Sequence, residues 1–240
     1  MRQGLFRIPL PGRHAILNSL VLMKKTDCIR IRELSSLLSV AVLFLLCGPS
    51  AGLRAEDILT ELRSRQEAVR SVSAEFVQDK HTRLMKKPLR SSGKFFFKRP
   101  DRVRWEYGGD TRLQVIFGGQ DIWLYYPDLG EADHLSGAAQ YSSLLQFDVA
   151  SLAARYSVSG ARHKEGYRVS LVTKGSGPVA RMEMELDGSS GFPKVVKLFD
   201  SREDVTVITF RSVKVNPELR DEIFRFSPGP DVKVREQAGR

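Results

Sequence analysis

Apolar residues after position 54 recur with two different spacings, and each spacing predicts a different element. Between Glu56 and Arg70 they recur about every 3.6 residues, which is the period of an α-helix. Glu56 and Asp57 stand in the first turn, where the helix dipole favours negative charge. The segment from Glu56 to Arg70 is therefore predicted to be one amphipathic helix, with the apolar residues Ile58, Leu59, Leu62 and Val69.

Beyond this helix the spacing changes to two, which is typical of strands with one buried face. Val72, Ala74 and Phe76 show this alternation first. Further strands are predicted in segments 93–98, 102–107, 112–117, 122–126, 167–171, 182–186, 195–199, 205–210 and 224–226. Short turns such as Gly108-Gly109 separate many of them and suit antiparallel hairpins. We expect about ten or eleven strands, with sequential strands as neighbours.

Between Pro127 and Tyr156 the alternation lapses, and two short helices are predicted there. They run from Gln140 to Gln146 and from Val149 to Arg155, with Asp148 as the N-cap of the second. Strands with one apolar face must curl around a core or pack on a second sheet. We therefore expect one mainly β domain in which a curled sheet, covered by helices, can leave a hollow.

The first 54 residues read as a targeting segment. Leu37 to Leu46 form an uncharged apolar run of about ten residues, preceded by basic residues and followed by helix breakers, as in a secretory signal peptide. Met23 is a candidate for the true start. A membrane anchor and an acylated Cys47 remain alternatives. The expected exported product is a single domain, residues 55–240.

Removing residues 1–54 changes the chemistry that the chain offers. The segment holds 8 of the 38 Lys and Arg residues and 2 of the 28 Asp and Glu residues, which leaves 30 against 26, a net charge of +4. It also holds both cysteines, Cys28 and Cys47. The domain therefore has no disulfide, no thiolate nucleophile and no cysteine metal ligand.

No catalytic motif is recognisable in the domain. His81, His134 and His163 are widely separated and do not have metal-ligand spacing. No nucleophile elbow of the Gly-x-Ser-x-Gly type occurs. Carboxylates are plentiful, so a hydrolase that uses two acids stays open. We predict no catalytic residue, no metal and no cofactor.

The segment from Met85 to Trp105 is strongly basic, with Asp101 as its one acid. Its basic residues are Lys86, Lys87, Arg90, Lys94, Lys98, Arg99, Arg102 and Arg104. In the strands they alternate with Phe, Val and Trp, so the charges are predicted to face outward and the aromatic rings inward. A solvated sheet face, anionic lipid headgroups and an acidic partner are all compatible with this pattern. Export argues against nucleic acid as a partner.

Four ordered motifs extend along the domain. They are Ser73–Gln78, Gly93–Tyr107 with Lys98-Arg99-Pro100 and Arg104-Trp105 inside it, Ile122–Pro127, and Phe224–Val232. Together they resemble the periplasmic outer-membrane lipoprotein carriers of the LolA type. The resemblance implies a half-open antiparallel β-barrel, covered by the N-terminal helix and a short helical lid. It also implies a monomer in the periplasm that takes acylated lipoproteins from an ATP-driven exporter of the inner membrane to an outer-membrane acceptor.

The resemblance also gives the inward side chains a role, namely to line an apolar hollow for acyl chains. The expected lining is Phe76, Phe95, Phe97, Val103, Trp105, Tyr107, Val115, Phe117 and Trp123. The expected lid residues are Leu144, Leu145 and Leu152. The family places a lid-latching arginine in its Lys-Arg-Pro motif, which falls here on Arg99.

Three other functions remain open at this point. The same barrel serves as a carrier of another lipid or glycolipid, and as a lipoprotein-sensing module in envelope-stress regulators. Such regulators usually append a second domain, which is not recognisable here. An enzyme is the third alternative, and two carboxylates converging inside the hollow would favour it.

Overall fold

The computed structural model describes residues 55–109, 112–138 and 141–238. The predicted targeting segment, with Met23 and both cysteines, lies outside the described residues. The helices are α1 (Ala55–Ala68), α2 (Ser142–Gln146) and α3 (Val149–Leu152). Two 3₁₀ helices span Pro127–Leu129 and Asp221–Phe224. Among the described residues no helix is both long enough and apolar enough to cross a bilayer.

Twelve strands account for most of the described chain. They are β1 (Ser71–His81), β2 (Leu89–Lys98), β3 (Arg102–Tyr107), β4 (Leu113–Gly118), β5 (Asp121–Tyr126), β6 (Glu131–Ser136), β7 (Tyr156–His163), β8 (Gly166–Thr173), β9 (Arg181–Asp187), β10 (Pro193–Phe199), β11 (Val205–Val215) and β12 (Lys233–Ala238). They form one sheet in the order β12-β6-β5-β4-β3-β2-β1-β11-β10-β9-β8-β7. Every neighbouring pair is antiparallel except the parallel pair β6 and β12. The sheet is open, with β7 and β12 as its edges, so the mainly β, incomplete-barrel prediction is confirmed.

The predicted alternation places one face of the sheet against the core. In β1 the buried residues Val72, Ala74 and Phe76 alternate with more exposed neighbours, and β9 buries Met182, Met184 and Leu186 in the same way. Helix α1 lies over this face and buries Ile58 and Leu62 in the same cluster. The strand period therefore fixes which residues the helices cover.

Three strands escaped the sequence prediction, and one predicted strand is wrong. Strand β6 carries two acidic residues, Glu131 and Asp133, on its inward face, and Asp133 is compensated by Arg235 of β12 at 2.7 Å. Strand β7 is an edge strand of mostly small and polar residues. Segment 224–226 is not a strand, because Phe224 ends a 3₁₀ helix and Phe226 packs onto strand β5.

The C-terminal segment covers the outer face of β3 to β5. Its Ile223 carbonyl accepts a hydrogen bond from Arg104 Nη1 at 2.8 Å, and its Asp221 pairs with Lys98 and Arg102 at 2.6 Å each. The basic side chains of β2 and β3 do face outward, as predicted. Lys98, Arg102 and Arg104 are paired with acidic side chains of the protein. Lys94 of β2 is exposed to solvent.

Candidate functional site

The interior of the curled sheet is an aromatic cluster. Phe95 lies edge-on to Trp105, with ring centroids 4.7 Å apart, and contacts Phe210 at 5.4 Å. Phe76 meets Trp105 at 4.9 Å from the other side. Edge-to-face pairs at these distances stabilise beyond simple area burial. The centre of the sheet is therefore apolar and densely packed.

Most of the residues predicted to line the hollow lie on this face. Phe76, Phe95, Phe97, Val103, Trp105, Val115 and Phe117 are all buried there. Tyr107 lies on the same face but is half-buried, and its hydroxyl donates to Gln78 Oε1 at 3.3 Å. These eight side chains form one continuous wall across β1 to β4.

Trp123 is the exception, and its predicted inward orientation is wrong. The register of β4 and β5 pairs Val115 with Leu124 and Ile116 with Trp123, so Trp123 shares the outer face with Ile116. Its ring stacks on His134 at 4.0 Å and contacts Phe226 at 5.1 Å. Both faces of β5 are apolar because the C-terminal segment covers the outer one.

The lid over the aromatic cluster is the segment 142–152, which contains α2 and α3. Leu152 is buried, and Leu144 and Leu145 are half-buried against the core. Phe147 is also buried, and its ring meets Trp105 at 6.1 Å and Phe210 at 5.9 Å. Its left-handed backbone, with φ of 56°, points it inward between the two helices. Sequence reasoning missed Phe147 because it falls between the predicted helices.

Asp148 caps the lid's second helix as predicted. Its carboxylate accepts hydrogen bonds from the amides of Ala150 and Ser151 at 3.1 and 3.3 Å. Helix α3 ends at Leu152, three residues before the predicted end. Capping fixes the start of α3 and with it the position of the chain next to Phe147.

Arg99 binds the end of α1. Its Nε donates to the Val69 carbonyl at 2.8 Å and its Nη2 to the Gln66 carbonyl at 2.7 Å. A guanidinium is well suited to this place, because it presents several donors at fixed angles. The last carbonyls of a helix also carry partial negative charge. The arginine therefore ties the β2–β3 turn to α1.

Gln66 continues this connection to the lid, a role that sequence reasoning did not identify. Its Nε2 donates to the carbonyls of Phe147 at 3.2 Å and Gly191 at 3.1 Å, and its Oε1 accepts from the Val149 amide at 3.2 Å. The backbone of one residue thus receives Arg99 while its side chain holds the lid and the β9–β10 turn. We call Arg99 and Gln66 together the clasp.

Asp221 supports the turn that carries Arg99. It pairs with Lys98 and Arg102, which flank that turn, and Lys98 also donates to the Leu219 carbonyl at 2.7 Å. The Lys98 ammonium, followed by the Arg102 guanidinium, lowers the pKa of the Asp221 carboxyl to about 2. At neutral pH the aspartate is therefore charged and holds the turn from outside.

The mouth beside the clasp is nearly closed. A cavity of ≈ 30 Å³ remains there, bordered by Val69, Phe97, Phe192 and the clasp residues. That volume holds one or two water molecules and no acyl chain. Deeper inside, the buried indole N–H of Trp105 has no hydrogen-bond partner among the described residues. Entry of a chain-like ligand requires the lid to move.

No groups for catalysis or metal binding converge in this interior among the residues that the structure describes. Among the described residues, Asp133 is the one buried carboxylate, and it is paired with Arg235 at the edge of the sheet. The same residues contain no cluster of three or more His, Cys, Asp or Glu side chains that could hold a metal ion. In the described part of the chain, the site offers an apolar surface covered by segment 142–152 and the indole N–H of Trp105, which has no hydrogen-bond partner.

Comparison with known proteins agrees with this geometry. Residues 67–227 match the family model described as outer membrane lipoprotein carrier protein LolA. The outer-membrane lipoprotein carrier protein of Halorhodospira halophila is 29% identical over 212 residues, covering 86% of this chain and 96% of the relative. The protein of the same name from Dechloromonas aromatica is 31% identical over 168 residues, covering 68% of this chain and 81% of the relative.

Among solved structures, a LolA superfamily protein from Nitrosomonas europaea is 11% identical and covers 72% of this chain and 97% of its own, with a TM-score of 0.45. The family model and the sequence relatives together span the helix end, the aromatic wall, the lid and the clasp. The chain therefore belongs to the outer membrane lipoprotein carrier (LolA) family.

Proposed function

We propose that this protein carries lipoproteins by sheltering their acyl chains in the space beneath the lid. The single observation that supports this best is an apolar interior closed by a small set of reversible hydrogen bonds, those of Arg99 and Gln66. It acts as a monomer in the periplasm and receives its cargo from an ATP-driven exporter of the inner membrane. It delivers that cargo to an acceptor at the outer membrane and catalyses no reaction.

The energetics favour binding and still permit release. Each CH₂ of an acyl chain that leaves water contributes about 0.8 kcal/mol, so a lipoprotein cannot cross an aqueous compartment unsheltered. Opening displaces Phe147 from Trp105 and Phe210 and breaks the clasp, which offsets part of that gain. The free indole N–H of Trp105 gives an ester or amide carbonyl of the cargo a partner.

The named relatives favour a lipoprotein over a free lipid or glycolipid as cargo, since each is called an outer-membrane lipoprotein carrier. The test is displacement of a bound fluorescent fatty acid by a triacylated lipopeptide. The same peptide without acyl chains serves as control. We expect the acylated peptide alone to displace the probe. Failure to displace it would contradict the proposal.

The two tryptophans locate the cargo. Trp105 lies inside and Trp123 on the outer face, and the chain has no other tryptophan. A lipopeptide with brominated acyl chains should quench the fluorescence of the Trp123→Phe variant, which retains Trp105. It should leave the Trp105→Phe variant almost unquenched. Equal quenching of both variants would place the acyl chains outside the hollow.

A further inference from the structure

The β1–β2 hairpin ends in an exposed tip that the carrier site does not use. The tip comprises residues 82–90, all of them exposed except the half-buried Thr82. Leu84 is 96% exposed, Met85 46% and Leu89 36%. These are three of the eight exposed large hydrophobic residues of the described chain, and they fall within six consecutive positions. Single exposed leucines are ordinary, whereas a local group of this kind marks an interaction site.

The same tip is basic. Between Lys80 and Lys94 the sequence contains no acidic residue. Arg83 pairs with Glu203 at 2.5 Å and its amide donates to Asp204, while Arg90 lies 3.8 Å from Asp79. These contacts fix the base of the hairpin to the β10–β11 turn. Lys86 and Lys87 are exposed beside Leu84, and no carboxylate in the described part of the chain pairs with them.

The tip also projects beyond its neighbour. Strand β3 pairs with β2 only from Gly93 to Lys98, so residues 89–92 extend past the end of β3. On the other side β1 stays paired with β11 as far as His81. The hairpin is therefore supported at its base and free at its end, which suits insertion into a yielding surface.

We propose that this tip docks the protein on an anionic lipid surface. Leu84 and Met85 enter the boundary between headgroups and acyl chains, and Lys86 and Lys87 contact anionic headgroups. The combination of apolar and basic side chains is the one that interfacial membrane binders use. A protein partner fits less well, because a stable interface needs about 800 Å² per partner and the tip is a narrow convex point.

The contact is weak and reversible by this account. Each lysine near an anionic surface strengthens binding about fivefold. Burial of one leucine side chain adds a factor on the order of ten to a hundred. Such binding places a carrier beside a membrane without anchoring it there. It goes beyond the proposed carrier function and needs no acyl cargo.

Co-sedimentation of the purified protein with vesicles tests the proposal. We expect binding to phosphatidylethanolamine vesicles that contain one quarter phosphatidylglycerol, weaker binding in high salt, and little binding to phosphatidylcholine. Leu84→Ser should weaken it at least tenfold, and Lys86→Ser and Lys87→Ser about fivefold each. The matched controls are Val172→Ser, an exposed valine on β8, and Lys214→Ser, an exposed lysine on β11. Both should bind as the unaltered protein does.

Three outcomes would overturn the proposal. The first is the absence of a preference for anionic vesicles, and the second is equal binding by the tip variants and the controls. The third is that the unaltered protein binds no vesicles while a tip variant fails to deliver cargo, because the tip would then dock on a protein. The tip is exposed, so its variants are expected to keep the melting temperature of the parent, which excludes misfolding as a cause.

Discussion

Strand β2 has a basic segment at each end, and the two ends have opposite surroundings. At the Lys98 end, Arg99 binds two backbone carbonyls of the protein, and Lys98 is paired with Asp221. At the Leu89 end, Lys86 and Lys87 stand beside the exposed Leu84. A cluster of basic residues in the sequence therefore does not by itself define what those residues do in the folded protein. What decides it is whether the fold places carbonyls and carboxylates of the same chain within reach.

The largest effect is expected from removing the side chain that fills the closed interior. Phe147→Ala should lower the free energy of unfolding by roughly 3–5 kcal/mol, because it leaves a cavity against Trp105 and Phe210. Urea denaturation measures it. Phe226→Ala, at a half-buried ring on the outer face, is the control and should cost clearly less. Equal losses would mean that Phe147 does not fill the interior between Trp105 and Phe210.

Arg99→Leu should have the next largest effect. It removes two charge-assisted hydrogen bonds, each contributing about 1.5–3 kcal/mol, and shifts the lid towards its open form. Titration with lipopeptide should show binding at least tenfold tighter, and transfer to the acceptor should slow by a similar factor. The affinity and transfer rate of Arg99→Lys should lie between those of the parent and of Arg99→Leu, because lysine keeps the charge but lacks the planar guanidinium.

Arg112→Leu is the matched control for the arginine. Arg112 is exposed and pairs with Asp128 at the surface, away from the lid. Its loss should leave lipopeptide binding and transfer unchanged. Normal delivery by Arg99→Leu would contradict the latch.

Gln66→Leu should produce the same change as Arg99→Leu in smaller measure. It keeps the backbone carbonyl that Arg99 binds but removes three neutral hydrogen bonds to Phe147, Gly191 and Val149. At about 0.5–1.5 kcal/mol for each bond, the three bonds together contribute about 1.5–4.5 kcal/mol. Lipopeptide affinity should therefore rise about tenfold or more, but less than in Arg99→Leu, whose two bonds together contribute about 3–6 kcal/mol. Gln120→Leu, in the exposed β4–β5 turn, is the control. If Gln66→Leu leaves the lipopeptide affinity unchanged, contacts other than those of Gln66 hold the lid closed.

Acid should weaken the support of the Arg99 turn. The pKa of Asp221 is about 2 in the folded protein, against about 3.9 for an ordinary aspartate, so its stabilising effect is fully present above pH ~4. It is lost as the pH falls towards 2. The stability difference between the parent and Asp221→Asn should be constant near neutral pH and shrink between pH ~4 and ~2. The effect is small because the pair is part-exposed.

The smallest expected effect is the energetic coupling between the tip at one end of strand β2 and the clasp at the other end. Strand β2 has 10 residues, so the tip and the clasp are roughly 30 Å apart. Effects of Leu84→Ser and Arg99→Leu on vesicle binding and lipopeptide binding should add within about 0.5 kcal/mol. A larger coupling would show that docking and lid opening are linked.

Much of the fold was predictable because its core strands have one apolar face. The alternation in β1 to β4 and in β8 and β9 indicated the inward residues correctly, Trp105 and Met184 among them. Prediction failed where another segment covers the outer face of a strand, because that face can then be apolar as well. The family resemblance placed Trp123 in the lining, but the sequence alone left open which face of strand 122–126 points inward. Apolar residues lie on both faces of this strand, and the outer ones pack against the C-terminal segment.

The parallel strand β12 and the clasp could not be predicted from local sequence, because both form through contacts between residues far apart in the chain. Strand β6 pairs with β12 about 100 residues later, and no local period indicates that partner. Arg99 was suggested by the family resemblance, whereas Gln66 looked like one more polar residue on a helix. Its role arises from where Phe147 and Gly191 lie in the folded chain.

Hydrogen exchange at the Val149 amide reports whether the lid opens when acyl chains bind. That N–H is bonded to Gln66 Oε1 in the closed form. If acyl chains enter by opening the lid, Val149 and its lid neighbours should exchange faster in the lipopeptide complex than in the free protein, while the amides of β3 and β4 keep their protection. Unchanged or greater protection of Val149 in the complex would contradict the account.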